Sequence, residues 1–374
     1  MLRRLLGYGG QAAAPTAQSH LERGKALHAD GQHAGAVAAY EQAIALEPEC
    51  AEVHYRLGLA WRDQQQFSAA IASYRHALVL KPDYIEAHNN LGVVLQLENN
   101  LQDARACYRR AVGLKPDFNQ PYINLGRLCE ILGDRDEAAR CYRSAIDAGV
   151  EAETFRHFLN ATEGITTGRA PVAYARTVFD NFAAHFDHRL VADLGYRIPQ
   201  ILCGRVKDLC GQRSLRVLDL GCGTGLCGTQ IKDVCALLAG VDVSPAMLAI
   251  AATHNLYDTL VEMDVAEYLL AAPAAAFDVV LSADVFVYIG DLAEVFGEVS
   301  RVLAPGGVFA FSIERAADER DFVLQANGRY TQSAGYIRRL AGHSGLSEVD
   351  SFEQTIRGAP GTGAPGRVFF LRKS

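Results

Sequence analysis

The sequence predicts two architectures in one chain, an α-helical solenoid followed by an α/β domain built on a parallel, doubly wound sheet. Three observations carry this. Residue types recur at a fixed interval through the first 150 positions. A short apolar run, Val217-Leu218-Asp219-Leu220, breaks into the glycine turn Gly221-Cys222-Gly223-Thr224-Gly225. Beyond that turn, strand-like and helix-like segments alternate to the end of the chain.

The interval is 34 residues. Glycine stands at 24, 58, 92 and 126, tyrosine at 40, 74, 108 and 142, and alanine at 43, 77, 111 and 145; proline follows at 48, 82 and 116. This period with these residue types resembles the tetratricopeptide repeat (TPR), a pair of antiparallel helices. Small residues such as Gly58 and Ala70 let the helices approach, Tyr74 fills the space between them, and Pro82 separates one unit from the next. Four units exceed the three or so needed for a continuous core. The resemblance implies a concave surface that takes a protein or peptide partner. Asn90 and Asn124 occupy one repeat position, where Arg56 and Glu22 stand in the other units. An asparagine amide both donates and accepts, so this pair is the candidate ladder for a peptide backbone.

The reading divides the chain into a disordered Gly/Ala-rich tail (1–16), the TPR array (17–150), a linker (151–171) and the α/β domain (172–374). Within the lead-in 172–210, Phe179, Phe182 and Phe186 are spaced as one core-facing helical stripe.

Composition bounds the partners. Of the sequence, 49% is hydrophobic and 21% charged, as in soluble globular proteins. Residues 1–150 hold 16 Lys+Arg against 17 Asp+Glu and the remainder 20 against 26, so neither half has the basic excess of a nucleic-acid binder. Nine cysteines at irregular spacings, without a CxxC pair, read as reduced thiols and predict a cytoplasmic protein. No apolar run is long enough to span a membrane, and Met1 to Leu6 lacks the apolar core of a signal peptide. No metal site is expected; His54 and His88, 34 apart, read as packing positions.

The glycine turn sets the chemistry. It reads GxGxG with Asp219 two residues ahead, whereas the dinucleotide fingerprint is GxGxxG. A carboxylate there repels a pyrophosphate and suits an amino group. Asp242 closes the next strand, 21 residues past Gly221, where a carboxylate meets a ribose diol.

The segment DLGCGTG resembles motif I of class I S-adenosylmethionine-dependent methyltransferases, and Arg301 to Phe311 resembles that family's helix-PGG-strand junction. The resemblance runs from about residue 172 to the end. It implies a Rossmann-like seven-stranded methyltransferase domain with its last strand antiparallel, S-adenosyl-L-methionine as cofactor and S-adenosyl-L-homocysteine as product. Lead-in residues 172–210 then form N-terminal lid helices. The cofactor-binding positions it implies are Asp219, Gly221, Cys222, Gly223, Gly225, Asp242, Val243, Met263, Asp264, Val265 and Ala283. Val243 lies against adenine, and Asp264 accepts from the adenine amino group.

Methyl transfer is an in-line displacement, so most of the catalysis is placement. A base is needed only for an acceptor such as an alcohol or ammonium. Asp284, His185 and His188 are the candidate bases or orienters, and Tyr288, Tyr196 and Arg197 the candidate substrate contacts. The expected function is methyl transfer, with the TPR array recruiting a protein partner or protein-bound substrate. The acceptor is a small molecule or a carrier-bound group as readily as a peptide. The alternative is a non-catalytic TPR scaffold with a degenerate methyltransferase-like domain.

Overall fold

The computed structural model describes residues 15–183, 186–187, 190–191, 194–211, 214–358 and 363–374. Two compact units divide at Glu151/Ala152.

The first unit is helical: α1 (Ala17–Ala29), α2 (His33–Leu46), α3 (Ala51–Asp63), α4 (Phe67–Leu80), α5 (Ile85–Leu97), α6 (Leu101–Leu114), α7 (Asn119–Ile131) and α8 (Arg135–Asp147). Thr16, expected in the disordered tail, caps α1 by accepting from the Ser19 amide at 3.1 Å; residues 1–14 lie outside the described residues. The repeated glycine and tyrosine form one contact. A Cβ on Gly24, Gly58, Gly92 or Gly126 would come within 2.2–2.6 Å of the ring of Tyr40, Tyr74, Tyr108 or Tyr142. Each ring is buried on the bare backbone of the preceding helix. The turn inside each repeat needs one left-handed residue, supplied by Gly31, Gln65, Asn99 and Gly133 at φ 73°, 60°, 59° and 76°. His54 and His88 donate from Nε2 to the carbonyls of Pro48 and Pro82, at 2.8 and 3.0 Å, which tie each first helix to the turn before it.

The second unit opens with α9 (Ala152–Glu163), which corrects the expected linker over 151–171. Phe155 and Phe158 are buried, and His157 Nε2 donates to the Gly328 carbonyl at 2.9 Å, so this stretch belongs to the domain it precedes. Further along, the Gly290 and Asp291 amides bond the Gly168 carbonyl. After α10 (Val172–Phe182) and α11 (Ile198–Cys210), strands and helices alternate: β1 (Leu215–Leu220), α12 (Leu226–Ile231), β2 (Cys235–Asp242), α13 (Pro245–Thr253), β3 (Thr259–Glu262), α14 (Val265–Ala271), β4 (Phe277–Ser282), α15 (Ala293–Val302) and β5 (Leu303–Glu314). A hairpin the sequence did not suggest, β6 (Phe322–Leu324) and β7 (Tyr330–Gln332), precedes α16 (Ala334–His343), β8 (Leu346–Thr355) and β9 (Pro365–Lys373).

The seven-stranded sheet runs β3-β2-β1-β4-β5-β9-β8. β9 is antiparallel to β5 and β8, and the pairs among β1 to β5 are parallel. Alternation sorts each strand between two cores. Leu218, Leu220, Val280, Phe309, Phe311 and Phe369 face one side with residues of α14, α15 and α16. Val217, Val279, Leu281, Val308 and Phe370 face the other with Ile198, Leu202 and Val206 of α11. The chain leaves β1 toward β2 and returns to β4 on its other side, which opens a crevice at their C-terminal ends.

The repeat tyrosines give a stability test. Tyr74 Oη is buried without a hydrogen-bond partner, whereas Tyr108 Oη donates to Gln96 at 3.1 Å. Tyr108→Phe is expected to cost about 0.5–1.5 kcal/mol and Tyr74→Phe nothing, or to stabilise. Denaturant melts of the full chain check this, and equal losses in both variants refute the assignment.

Candidate active site

β1 delivers Asp219 to the mouth of the crevice and the glycine turn follows. Gly221 is held at φ 67°, and a Cβ there would lie 2.3 Å from Val285 on the loop after β4, so two constraints require glycine. The amides of Gly221 and Cys222 bond the Val241 carbonyl at 2.8 and 3.0 Å, fixing the turn against β2. Gly223, at φ 53°, faces open space, and Gly225, at φ 94°, caps α12.

The acids differ in what they hold. Asp219 Oδ2 accepts from Tyr257 Oη at 2.6 Å, while Oδ1 is buried without a partner. Burial pushes its pKa up to about 7, opposed by the Tyr257 hydrogen bond and reinforced by the Asp242 charge. Asp242 accepts from the Gly223 amide at Oδ2 and the Ser244 amide at Oδ1, both at 2.9 Å. Burial raises its pKa against those amides. Each of its oxygens keeps a further lone pair for a hydroxyl. Asp264 caps α14 through the Ala266 amide at 3.0 Å and pairs with Arg169 at 2.5 Å. Of the neighbouring positions, Val243 and Met263 are half-buried beside the crevice acids and Cys222 is buried in the turn. The Val265 side chain packs in the core, because it opens α14 on its inner side.

Asp284, just past β4, stands at φ 63°, a left-handed conformation for a residue with a side chain. Its amide donates to Ser312 Oγ at 2.9 Å and its Oδ2 pairs with Arg357 at 2.7 Å. Arg357 also pairs with Glu314, which takes Arg329 at 3.4 Å. Asp284 Oδ1 is buried without a partner. Burial raises its pKa and Arg357 opposes the rise. Ala283 joins the core beside it, and the buried Tyr196 is close enough for the Asp284 charge to act on its hydroxyl. Tyr288 is buried against Phe179 and Tyr174, at 5.4 and 6.1 Å between ring centroids.

Some expectations need correction. Arg197, expected to contact substrate, is exposed at the start of α11. His185 and His188 lie outside the described residues. The phenylalanine stripe is broken: Phe179 and Phe186 contact each other, but Phe182 is 45% exposed. In the first unit, Asn90 Nδ2 donates to Tyr55 Oη and Asn124 Nδ2 to Asn89 Oδ1, both at 2.9 Å, so the amides expected to face a peptide are bonded between neighbouring repeats.

Several contacts were not foreseen. Tyr257 wedges against the bare backbones of Gly225, Gly228 and Gly240 while its hydroxyl holds Asp219. From the lead-in, Asp180 accepts from Ser244 Oγ at 2.6 Å and Asp187 accepts from Thr224 Oγ1; ahead of it, Arg169 holds Asp264. Each lies 37 to 95 residues from its partner, beyond any local spacing signal.

Known protein families match both parts of the chain. Residues 218–311 match a methyltransferase domain family, and residues 21–85, 85–118 and 120–148 match tetratricopeptide repeat families. The chain carries a C-terminal methyltransferase domain behind N-terminal tetratricopeptide repeats. The ubiquinone biosynthesis O-methyltransferase of Caulobacter sp. (strain K31) is 37% identical over 97 residues, 25% of this chain and 38% of that protein. That of Thiobacillus denitrificans is 35% identical over 130 residues, 33% of this chain and 53% of that protein. The chain thus spans about half the length, or less, of these curated relatives. Among solved structures, the Burkholderia thailandensis 1,6-didemethyltoxoflavin-N1-methyltransferase matches 56% of this chain and 92% of its own. Its identity is 20% and its TM-score 0.44.

Two outcomes follow for Asp219. Its pKa in the fold exceeds the ordinary carboxylate value, so its contribution to stability is full below pH about 4 and is lost as pH rises toward 7. Asp219→Asn is therefore expected to flatten stability against pH over that window. Tyr257→Phe, which removes the hydroxyl that donates to a buried carboxyl, is expected to cost about 1–3 kcal/mol. Urea melts between pH 4 and 8 read both.

Proposed function

We propose that this chain is an S-adenosylmethionine-dependent methyltransferase that acts on a hydroxyl or amine, with its TPR array recruiting a protein partner or protein-bound substrate. The observation that carries the reading is a pair of orphaned carboxylate oxygens in one crevice, Oδ1 of Asp219 and Oδ1 of Asp284.

The first suits an ammonium. When bound, the cofactor supplies a methyl group on a sulfonium together with an amino acid moiety, a ribose and an adenine. Asp219 Oδ1 would take the ammonium, the glycine turn leaves room for close approach, and Asp242 retains acceptor capacity for the diol. Asp264 would meet adenine only alongside Arg169, which already holds one of its oxygens. A cation pairs with ionised Asp219, so adenosyl-ligand affinity is expected to rise from pH 6 to 8, with protons released on binding below pH 7. Asp242→Ala is expected to weaken binding by about 1–3 kcal/mol. Calorimetry with S-adenosylhomocysteine in two buffers of different ionisation heat checks both effects. A flat pH profile counts against the Asp219 assignment, and no binding at all favours a non-catalytic scaffold.

The second orphan selects the acceptor. A hydroxyl or amine can donate to Asp284 Oδ1, whereas a carboxylate acceptor would meet a like charge there. As the acceptor lone pair closes on the methyl carbon and the C–S electrons return to sulfur, Asp284 takes the acceptor proton. The carboxyl is pushed up by burial, which makes it a stronger base than a free aspartate. Asp284→Asn is expected to lower kcat roughly 10²–10⁴-fold while leaving S-adenosylhomocysteine affinity in place. Labelled methyl transfer to hydroxyl, amine and carboxylate acceptor panels tests this. Transfer confined to carboxylates, or an unchanged kcat, sinks the acceptor reading.

The array supports recruitment because its helices pair repeat by repeat while polar side chains such as Glu22 and Arg56 are left on the first helices. Nine cysteines at irregular spacings, without a CxxC pair, suit a reducing compartment, consistent with a cytoplasmic place of action. No described helix is long and apolar enough to cross a membrane.

A further inference from the structure

Where the first two repeats meet, three metal-ligating side chains converge from three helices. His28 lies in the last turn of α1, His33 opens α2 and Asp63 closes α3. Their ligand atoms all lie within 4.8 Å of one another, and Asp63 Oδ2 is 2.8 Å from His28 Nε2. The two imidazole rings stand edge to face at 5.2 Å. We propose that His28, His33 and Asp63 form a site for a divalent transition metal of the zinc type, separate from the methyltransferase domain.

The donor set suits that ion. Two imidazole nitrogens and one carboxylate oxygen match zinc, and three protein ligands leave a fourth position for water. Bonds of about 2.1 Å in a tetrahedron put ligand atoms roughly 3.4 Å apart, so modest side-chain rotations close the observed spacing. His33 Nδ1 is buried without a hydrogen-bond partner, a desolvation that no described protein group offsets. The Arg62 guanidinium binds Asp63 through Oδ1 at 2.8 Å, which orients the carboxylate and leaves Oδ2 turned to the histidines. The site also sits against the C-terminal ends of α1 and α3, whose partial negative charge outweighs the single positive N-terminal end of α2 at His33. The sequence reading expected no metal because the three residues follow no compact motif; the helical hairpin and its neighbour bring them together. An ion here would pin the first repeat, which has a single repeat neighbour, onto the second.

The test titrates the full chain with Zn²⁺ alone by calorimetry. One equivalent is expected to bind and to raise the melting temperature of the repeat unit. His33→Gln, His33→Ala and Asp63→Asn are each expected to weaken binding by at least about tenfold, with circular dichroism reporting that the variants stay helical. His76→Ala, at the separate His54–His76 pair whose rings lie 4.1 Å apart, is expected to change nothing. Co²⁺ substitution is expected to give a four-coordinate spectrum without thiolate charge transfer. Wild-type affinity in the three variants, loss in His76→Ala, a thiolate signature, or no zinc bound by the wild type each overturns the proposal.

Discussion

Both halves of this protein depend on the same physical device, a tyrosine ring seated on backbone that has no side chain. In the array, Tyr40, Tyr74, Tyr108 and Tyr142 lie on Gly24, Gly58, Gly92 and Gly126. A glycine within a helix costs up to about 1 kcal/mol in propensity. The close approach it permits buries a whole aromatic ring between two helices, a larger gain. In the sheet domain Tyr257 rests on Gly225, Gly228 and Gly240, and there the ring carries a second duty: its hydroxyl holds Asp219. Packing and charge placement are one contact, so the carboxylate at the mouth of the crevice is only as well positioned as the ring is well packed.

Around that contact the domain concentrates buried acids. Asp242 is held by backbone amides from the glycine turn and the start of α13, and Asp264 by one amide at the start of α14 together with Arg169. Asp219 and Asp284 are satisfied on one oxygen alone. Backbone amides cannot move away, so they hold a carboxylate without competing for the whole of it. Arg357 acts differently. It bridges Asp284 and Glu314, and with Arg329 beside Glu314 these four side chains alternate in sign and sum to no net charge.

What could be read from the sequence was whatever depends on spacing along the chain. The 34-residue period gave the helical pairs and the glycine-tyrosine contact, and the acid two residues before a glycine turn gave β1 and its crevice. The opaque part depends on topology. Tyr257 reaches Asp219 across 38 residues, Arg357 reaches Asp284 across 73 and Arg169 reaches Asp264 across 95. No local pattern announces such pairs, because the sheet order decides them. The asparagines at 90 and 124 were placed on the right repeat position, but their bonds to the helix one repeat earlier were hidden for the same reason. Residues 152–163 stand within the expected linker; the burial of Phe155 and Phe158 assigns them to the following domain.

The left-handed turn position of the repeats bears on how the array comes apart. Glycine fills it at 31 and 133, while Gln65 and Asn99 fill it in the two middle repeats, where a side chain in that conformation costs about 1 kcal/mol. A linear array ordinarily frays from its tips, since a terminal repeat has one neighbour where an inner repeat has two. Here the relaxed turns stand at the tips and the strained ones inside. That distribution levels the local stabilities along the chain and favours opening as one cooperative body over peeling from an end.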